Sequence, residues 1–142
     1  HFFFKYNYII MKTVFFGVNM KVFFIIFFLL LLLDAVYIST FNGFLNKLFK
    51  RVQGGRKLSV KYGGFIATYL LMTSIVYYFG IIKKFTLGEM FLLGISIYGV
   101  YELTNYTTFV DWSLKMVLLD TLWGGILFAS TFYIINKIEV IH

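Results

Sequence analysis

From Val22 to Leu45 the chain carries seventeen Val, Ile, Leu and Phe residues and a single charged one, Asp34. A run of that kind constrains the fold more than any motif, because about 20 mostly apolar residues in a helix cross the roughly 30 Å of a bilayer's hydrocarbon. Three further segments qualify: Tyr62 to Ile82, Leu87 to Val110 and Ser113 to Ile135. The runs are continuous rather than alternating, and a barrel needs at least about eight short strands, so helix is the expected state. Proline is absent, in keeping with unkinked helices. The expectation is an all-α, integral membrane four-helix bundle with an antiparallel up-down-up-down course.

Asp34 tests the first span by magnitude. Seventeen large apolar residues at about −0.3 to −0.6 kcal/mol each outweigh one carboxylate at roughly +3 kcal/mol, even as upper-limit values. A cleaved signal peptide fits less well, because Ala35 to Thr40 is a poor cleavage site and the run exceeds a usual signal core.

Composition agrees. The 142 residues are 61% apolar and 13% charged, too little polar surface for a soluble domain, which carries about 25% charged residues. The net charge of +7 sits at the edges of the apolar blocks, where cations meet anionic headgroups; no recognised module points to nucleic acid. Cysteine is absent and the two histidines are His1 and His142, which removes thiolate sites and argues against imidazole chemistry. The transmembrane domain is read as residues 20–142. Residues 1–19 form an N-terminal extension, aromatic and basic, to be taken either as an interfacial segment or as translated upstream sequence without a native role.

The connections set orientation. Asn46 to Lys61 holds Lys47, Lys50, Arg51, Arg56, Lys57 and Lys61 and no acid, which reads as a solvated loop or short interfacial helix against lipid. Lys83 to Thr86 and Val110 to Ser113 are short enough to make hairpins. The face with the first loop and Lys115 carries seven bases, against four on the other if translation starts at Met20. The positive-inside rule then puts the loop in the cytoplasm.

Ionisable groups inside a span are costly and mark functional sites by default. There are three: Asp34, Glu102 and Asp120. A rise of about 1.5 Å per residue puts them roughly 18, 22 and 20 Å from the N-terminal face, in one layer. Tyr98, Glu102 and Asn105 share a helix face, as do Asp120, Trp123, Gly124 and Leu127. Thr68 and Tyr69 lie at a similar level on the second span. Gly94, Gly99, Gly124 and Gly125, with Gly63 and Gly64, read as helix-packing positions. Trp112 reads as part of an interfacial belt and Glu89 as solvated near the boundary.

No phosphate-binding loop, nucleophile elbow, metalloprotease helix or histidine triad is present, and no motif names a cofactor. Carboxylate oxygens accept hard cations, so the identity of any metal stays open.

Three blocks carry a family resemblance: Val100 to Tyr106 (V-Y-E-L-T-N-Y), Asp111-Trp112-Ser113-Leu114-Lys115, and Asp120-Thr121-Leu122-Trp123-Gly124-Gly125. With Met20 to Tyr37 as a first helix, the sequence resembles the membrane proteins grouped as domain of unknown function 2177, over about Met20 to Ile135. That family typically has Asp where Glu102 stands and often a proline near Ser113. The resemblance implies four membrane helices and no established biochemical activity.

The leading expectation is a bundle in the lipid bilayer whose carboxylate layer binds or transports a cation, proton or small ligand. Its candidate residues are Asp34, Glu102, Asp120, Asn105, Tyr98, Trp123 and Tyr69. Two alternatives stand beside it: a scaffold or accessory subunit in which the acids only fix helix packing, and a lipid-modifying enzyme using them as acid and base.

Overall fold

A computed structural model describes residues 17–140. Residues 1–16, most of the N-terminal extension, and residues 141–142 lie outside the described part. The described residues form four helices: α1 (Met20–Val52), α2 (Tyr62–Val76), α3 (Leu87–Thr108) and α4 (Leu114–Val140). A π-helical segment, Tyr77–Ile82, prolongs α2. No strand occurs among the described residues.

The ends are capped by local chemistry. Asn19 caps α1, its side-chain oxygen accepting from the Val22 amide at 3.3 Å, while its own amide donates to the Tyr77 hydroxyl at 2.7 Å and ties the start of α1 to the end of α2. At α3 the Thr86 hydroxyl accepts from the Glu89 amide and the Glu89 carboxylate accepts from the Thr86 amide, the reciprocal pattern that satisfies two free amide groups at once. Helix α1 runs past Leu45 to Val52, so the first half of the basic connection is helical rather than loop. Gly54 and Gly55 end it at φ 62° and 84°, a left-handed turn that glycine adopts without penalty. Lys50 and Arg51 sit in its last turn, where cations oppose the helix dipole.

Three of the helical stretches, Met20–Val52, Tyr62–Ile82 and Leu114–Ile138, are long and apolar enough to cross a membrane. Helix α3 has 22 residues, sufficient in length, but Glu89, Glu102 and Asn105 make it less apolar. By composition the described helices thus supply three candidate spans where the sequence reading expects four.

Helices α3 and α4 make the tightest pair. Phe91 and Ile95 meet Gly125, Tyr98 meets Gly124, and Gly99 meets Thr121, so sequence numbers rise on one helix as they fall on the other. Helix α1 packs on both α2 and α4. One end of the bundle is an apolar core with Ile26, Leu30, Val76, Met90, Leu127, Phe128 and Ile135 fully buried. A second, smaller cluster, Leu45, Leu48, Trp112, Met116 and Val117, closes the other end. Helix α2 joins the core only from Tyr69 onward: Tyr62 to Thr68 are all exposed. Gly63 and Gly64 accordingly have nothing within 4 Å of an added Cβ, which corrects their reading as packing positions.

Candidate functional site

Between the two apolar clusters lies a cavity of about 290 Å³ whose walls include Asp34, Glu102 and Asp120. Three different helices deliver the three acids. Helix α1 buries Val22, Ile26, Leu30, Asp34 and Tyr37, a spacing of four, four, four and three that winds one stripe along the helix and carries Asp34 inward with its apolar neighbours. Helix α3 buries Met90, Gly94, Gly99 and Glu102. Asp120 is brought opposite by the glycine contact one turn further along α4.

The acids differ in how they are satisfied. Asp34 accepts two hydrogen bonds, from the Tyr69 hydroxyl at 2.8 Å and from the Trp123 indole N–H at 2.7 Å. Donors on α2 and α4 thereby converge on one carboxylate of α1. Tyr37 stacks on Trp123, with ring centroids 4.6 Å apart and planes 5° from parallel, which fixes the indole that Asp34 needs.

Glu102 is 0% exposed. Its Oε2 accepts from the Trp112 indole N–H at 2.7 Å, but its Oε1 is buried with no donor; the group beside it is the Asp120 carboxyl, which can give a hydrogen only if one of the two acids holds a proton. Asp120 lies beside Glu102 and the Tyr37 hydroxyl. A buried acceptor without a donor costs about 1–3 kcal/mol, more when charged, and two adjacent carboxylates repel strongly where water is scarce. One positive charge between them, carried by a proton, a metal ion or an ammonium group, answers both deficits.

The other expected site residues fall into place unevenly. Tyr98 lines the cavity and its hydroxyl reaches the Met72 sulfur at 3.9 Å. Tyr69 and Trp123 act through Asp34. Asn105 is not among the lining residues, and its side-chain nitrogen is buried without a partner. Thr68 is exposed, its hydroxyl donating back to the Gly64 carbonyl at 2.9 Å. Among the described residues no group of three His, Cys, Asp or Glu side chains is arranged to hold a metal ion.

Two residues enter the site that sequence reasoning did not place there. Trp112, expected in an interfacial belt, is buried, because the short link after α3 folds its indole back over Glu102. Tyr37, three residues after Asp34, faces Asp120. The spacing of Asp34 and Tyr37 on one helical stripe was the available signal for the second; for Trp112 it was the ten residues that separate it from Glu102 around a tight turn.

The family described as "Predicted membrane protein (DUF2177)" matches residues 19–135. The chain belongs to that family. No curated protein and no solved structure matches it. The matched region of this DUF2177 member contains all four helix starts and every residue of the cavity, so the site lies wholly inside the family's domain.

Proposed function

We propose that this DUF2177 protein is a multi-pass membrane protein that binds a cation, proton or small cationic ligand at the Glu102–Asp120 pair. The observation that carries the reading is the unpartnered Glu102 Oε1, fully buried beside a second carboxylate on the wall of a cavity. Four spans in up-down-up-down order, with the basic connection after α1 on the cytoplasmic side, place that cavity in the half of the bundle nearest the connection. Asn42, Asn46 and Leu58 at its rim support access from that side, while the apolar core supports closure on the other.

Asp34 favours the packing alternative for itself alone. Both of its oxygens are engaged by donors on other helices, so it acts as a tie between α1, α2 and α4 and positions the wall of the cavity.

The test is infrared difference spectroscopy of purified protein, reading the carboxylate stretch as sodium, potassium or ammonium replaces choline at constant ionic strength. At least one of these cations is expected to give a saturable shift in the wild type. The shift should be absent from the Glu102→Gln/Asp120→Asn double variant and retained in Asp34→Asn. A wild-type response identical to that of the double variant, together with no protonated-carboxyl band near neutral pH that the double variant loses, would end the proposal.

A further inference from the structure

The cavity opens sideways. Its exposed lining residues are Ile38, Asn42 and Asn46 on one face of α1, Tyr101 on α3, and Leu58 in the connection. Helix α2 contributes no residue to the cavity wall: it is exposed over Tyr62 to Thr68 and packs only from Tyr69. The mouth is therefore a lateral cleft bordered by the exposed apolar residues Ile38 and Leu58, together with the Asn46–Asn42 side-chain hydrogen bond of 2.7 Å. A lateral opening with an apolar border suits a ligand that enters from the bilayer.

The charges change sign along the cleft. Inside stand Glu102 and Asp120; flanking Leu58 at the rim are the exposed Arg56, Lys57 and Lys61, with Lys47, Lys50 and Arg51 on the end of α1. A bare inorganic cation meets repulsion at that rim before it meets the acids. A group with an anion outside and a cation inside matches both. The walls add Tyr37, Tyr98, Tyr101, Phe49 and Trp112, aromatic faces that attract ammonium groups. A volume of about 290 Å³ sits at the lower edge of the roughly 300–1,000 Å³ typical of small-molecule sites. That is room for a headgroup, not for a whole lipid.

Resting on the reading of the Glu102–Asp120 pair as a cation site, we infer that its ligand is the primary ammonium of a zwitterionic phospholipid headgroup of the phosphatidylethanolamine type, which has the N–H groups that choline lacks and enters by the cleft between α1 and α3. The ammonium supplies the donor that Glu102 Oε1 lacks, and the phosphate stays by the basic connection. The tails remain in the bilayer along α1 and α3.

Both tryptophans of the chain, Trp112 and Trp123, donate to carboxylates on the cavity wall, so intrinsic fluorescence reports occupancy. Protein in maltoside micelles is titrated with short-chain phosphatidylethanolamine, with phosphatidylglycerol of the same chain length, and with ethylammonium chloride. A saturable change is expected with phosphatidylethanolamine, weaker by about tenfold or more with either other probe. Glu102→Gln should weaken the lipid response by about tenfold, as for loss of one charge-assisted hydrogen bond. Equal responses to the two lipids, or a lipid response indifferent to Glu102→Gln, overturn the inference. Ethylammonium binding as tightly as the lipid identifies a free amine as ligand and overturns the lipid source. Because the infrared experiment uses small cations alone, failure here with success there removes the headgroup and spares the cation site.

Discussion

Gly94→Ala probes the contact on which the site's geometry depends. A Cβ at Gly94 would stand 2.6 Å from the Gly124 carbonyl carbon and 3.0 Å from the Gly125 Cα, with the Gly124 oxygen nearer still. These are backbone atoms and cannot rotate aside. Ordinary contact begins at 3.4 Å, so α3 and α4 must part locally by at least 0.8 Å. Opening a packed interface by 0.5–1 Å forfeits about a quarter to a half of each dispersion well along it, and overpacked substitutions cost typically about 1–3 kcal/mol. Alanine also gains up to about 1 kcal/mol of helix propensity over glycine, so the comparison needs a control with the same gain and no clash. Gly43 in α1, with nothing within 4 Å, provides it. Gly94→Ala is expected to be about 1–3 kcal/mol less stable than Gly43→Ala, read by circular dichroism during reversible unfolding from mixed micelles into sodium dodecyl sulfate. The parting should also carry Glu102, two turns along α3, away from Asp120, and so diminish the cation response. Stabilities within about 0.5 kcal/mol of each other, the scatter of neutral surface changes, would refute the close-approach argument.

Two further expectations follow from single contacts. Tyr69→Phe and Trp123→Phe each remove one donor from Asp34; the first should cost about 0.6 kcal/mol, up to about 1.7, the range measured for hydrogen bonds between membrane helices, and the second about 0.5–1.5 kcal/mol more, because it also loses the stack on Tyr37. Combined in turn with Asp34→Leu, which removes both acceptors, in double-mutant cycles, each loss should shrink; strict additivity would show that the tie between α1, α2 and α4 contributes nothing. At the start of α3 the Thr86 amide, and secondarily its hydroxyl, hold the Glu89 carboxyl below its ordinary value of 4.5. A depressed folded-state value means the contribution is complete above the ordinary range and is lost as pH falls through the lowered one. The thermal midpoint of the wild type should therefore drop relative to Glu89→Gln as pH is taken below 4.5, and parallel curves for the two proteins would contradict the capping role.

Helix existence and the shared depth of the acids were legible because both depend on period and rise alone. Apolar length makes the helices, and about 1.5 Å per residue fixes the level of each acid once the ends are known. Partners were not legible, because rise gives depth and leaves open which helices touch. Asp34 could be placed in the carboxylate layer from sequence, yet nothing local says that its donors come from Tyr69 and Trp123 while Glu102 is served by Trp112. The stand-off of α2 was equally hidden. Tyr62 to Thr68 is as apolar as a packed span, since in a bilayer a lipid-facing turn and a protein-facing turn have the same composition. For the same reason Gly63 and Gly64 resembled Gly94 and Gly124, although only the latter pair meets another backbone.

That stand-off also explains why polar groups collect at one end of the bundle. Where α2 packs fully, the interior is filled by Ile26, Leu30, Val76, Met90 and Phe128, with only the hydroxyls of Thr73 and Thr131 buried among them. Where it does not, α1, α3 and α4 enclose space that three helices cannot fill at normal packing density. An apolar void there would forfeit contacts on every wall, whereas carboxylates, tyrosine hydroxyls and asparagine amides hold the space open for a ligand that can hydrogen-bond. Bulky substitutions separate the two accounts of this void. Tyr98→Trp would strengthen a bundle whose cavity is a packing fault and would cost cation binding in one whose cavity is a site.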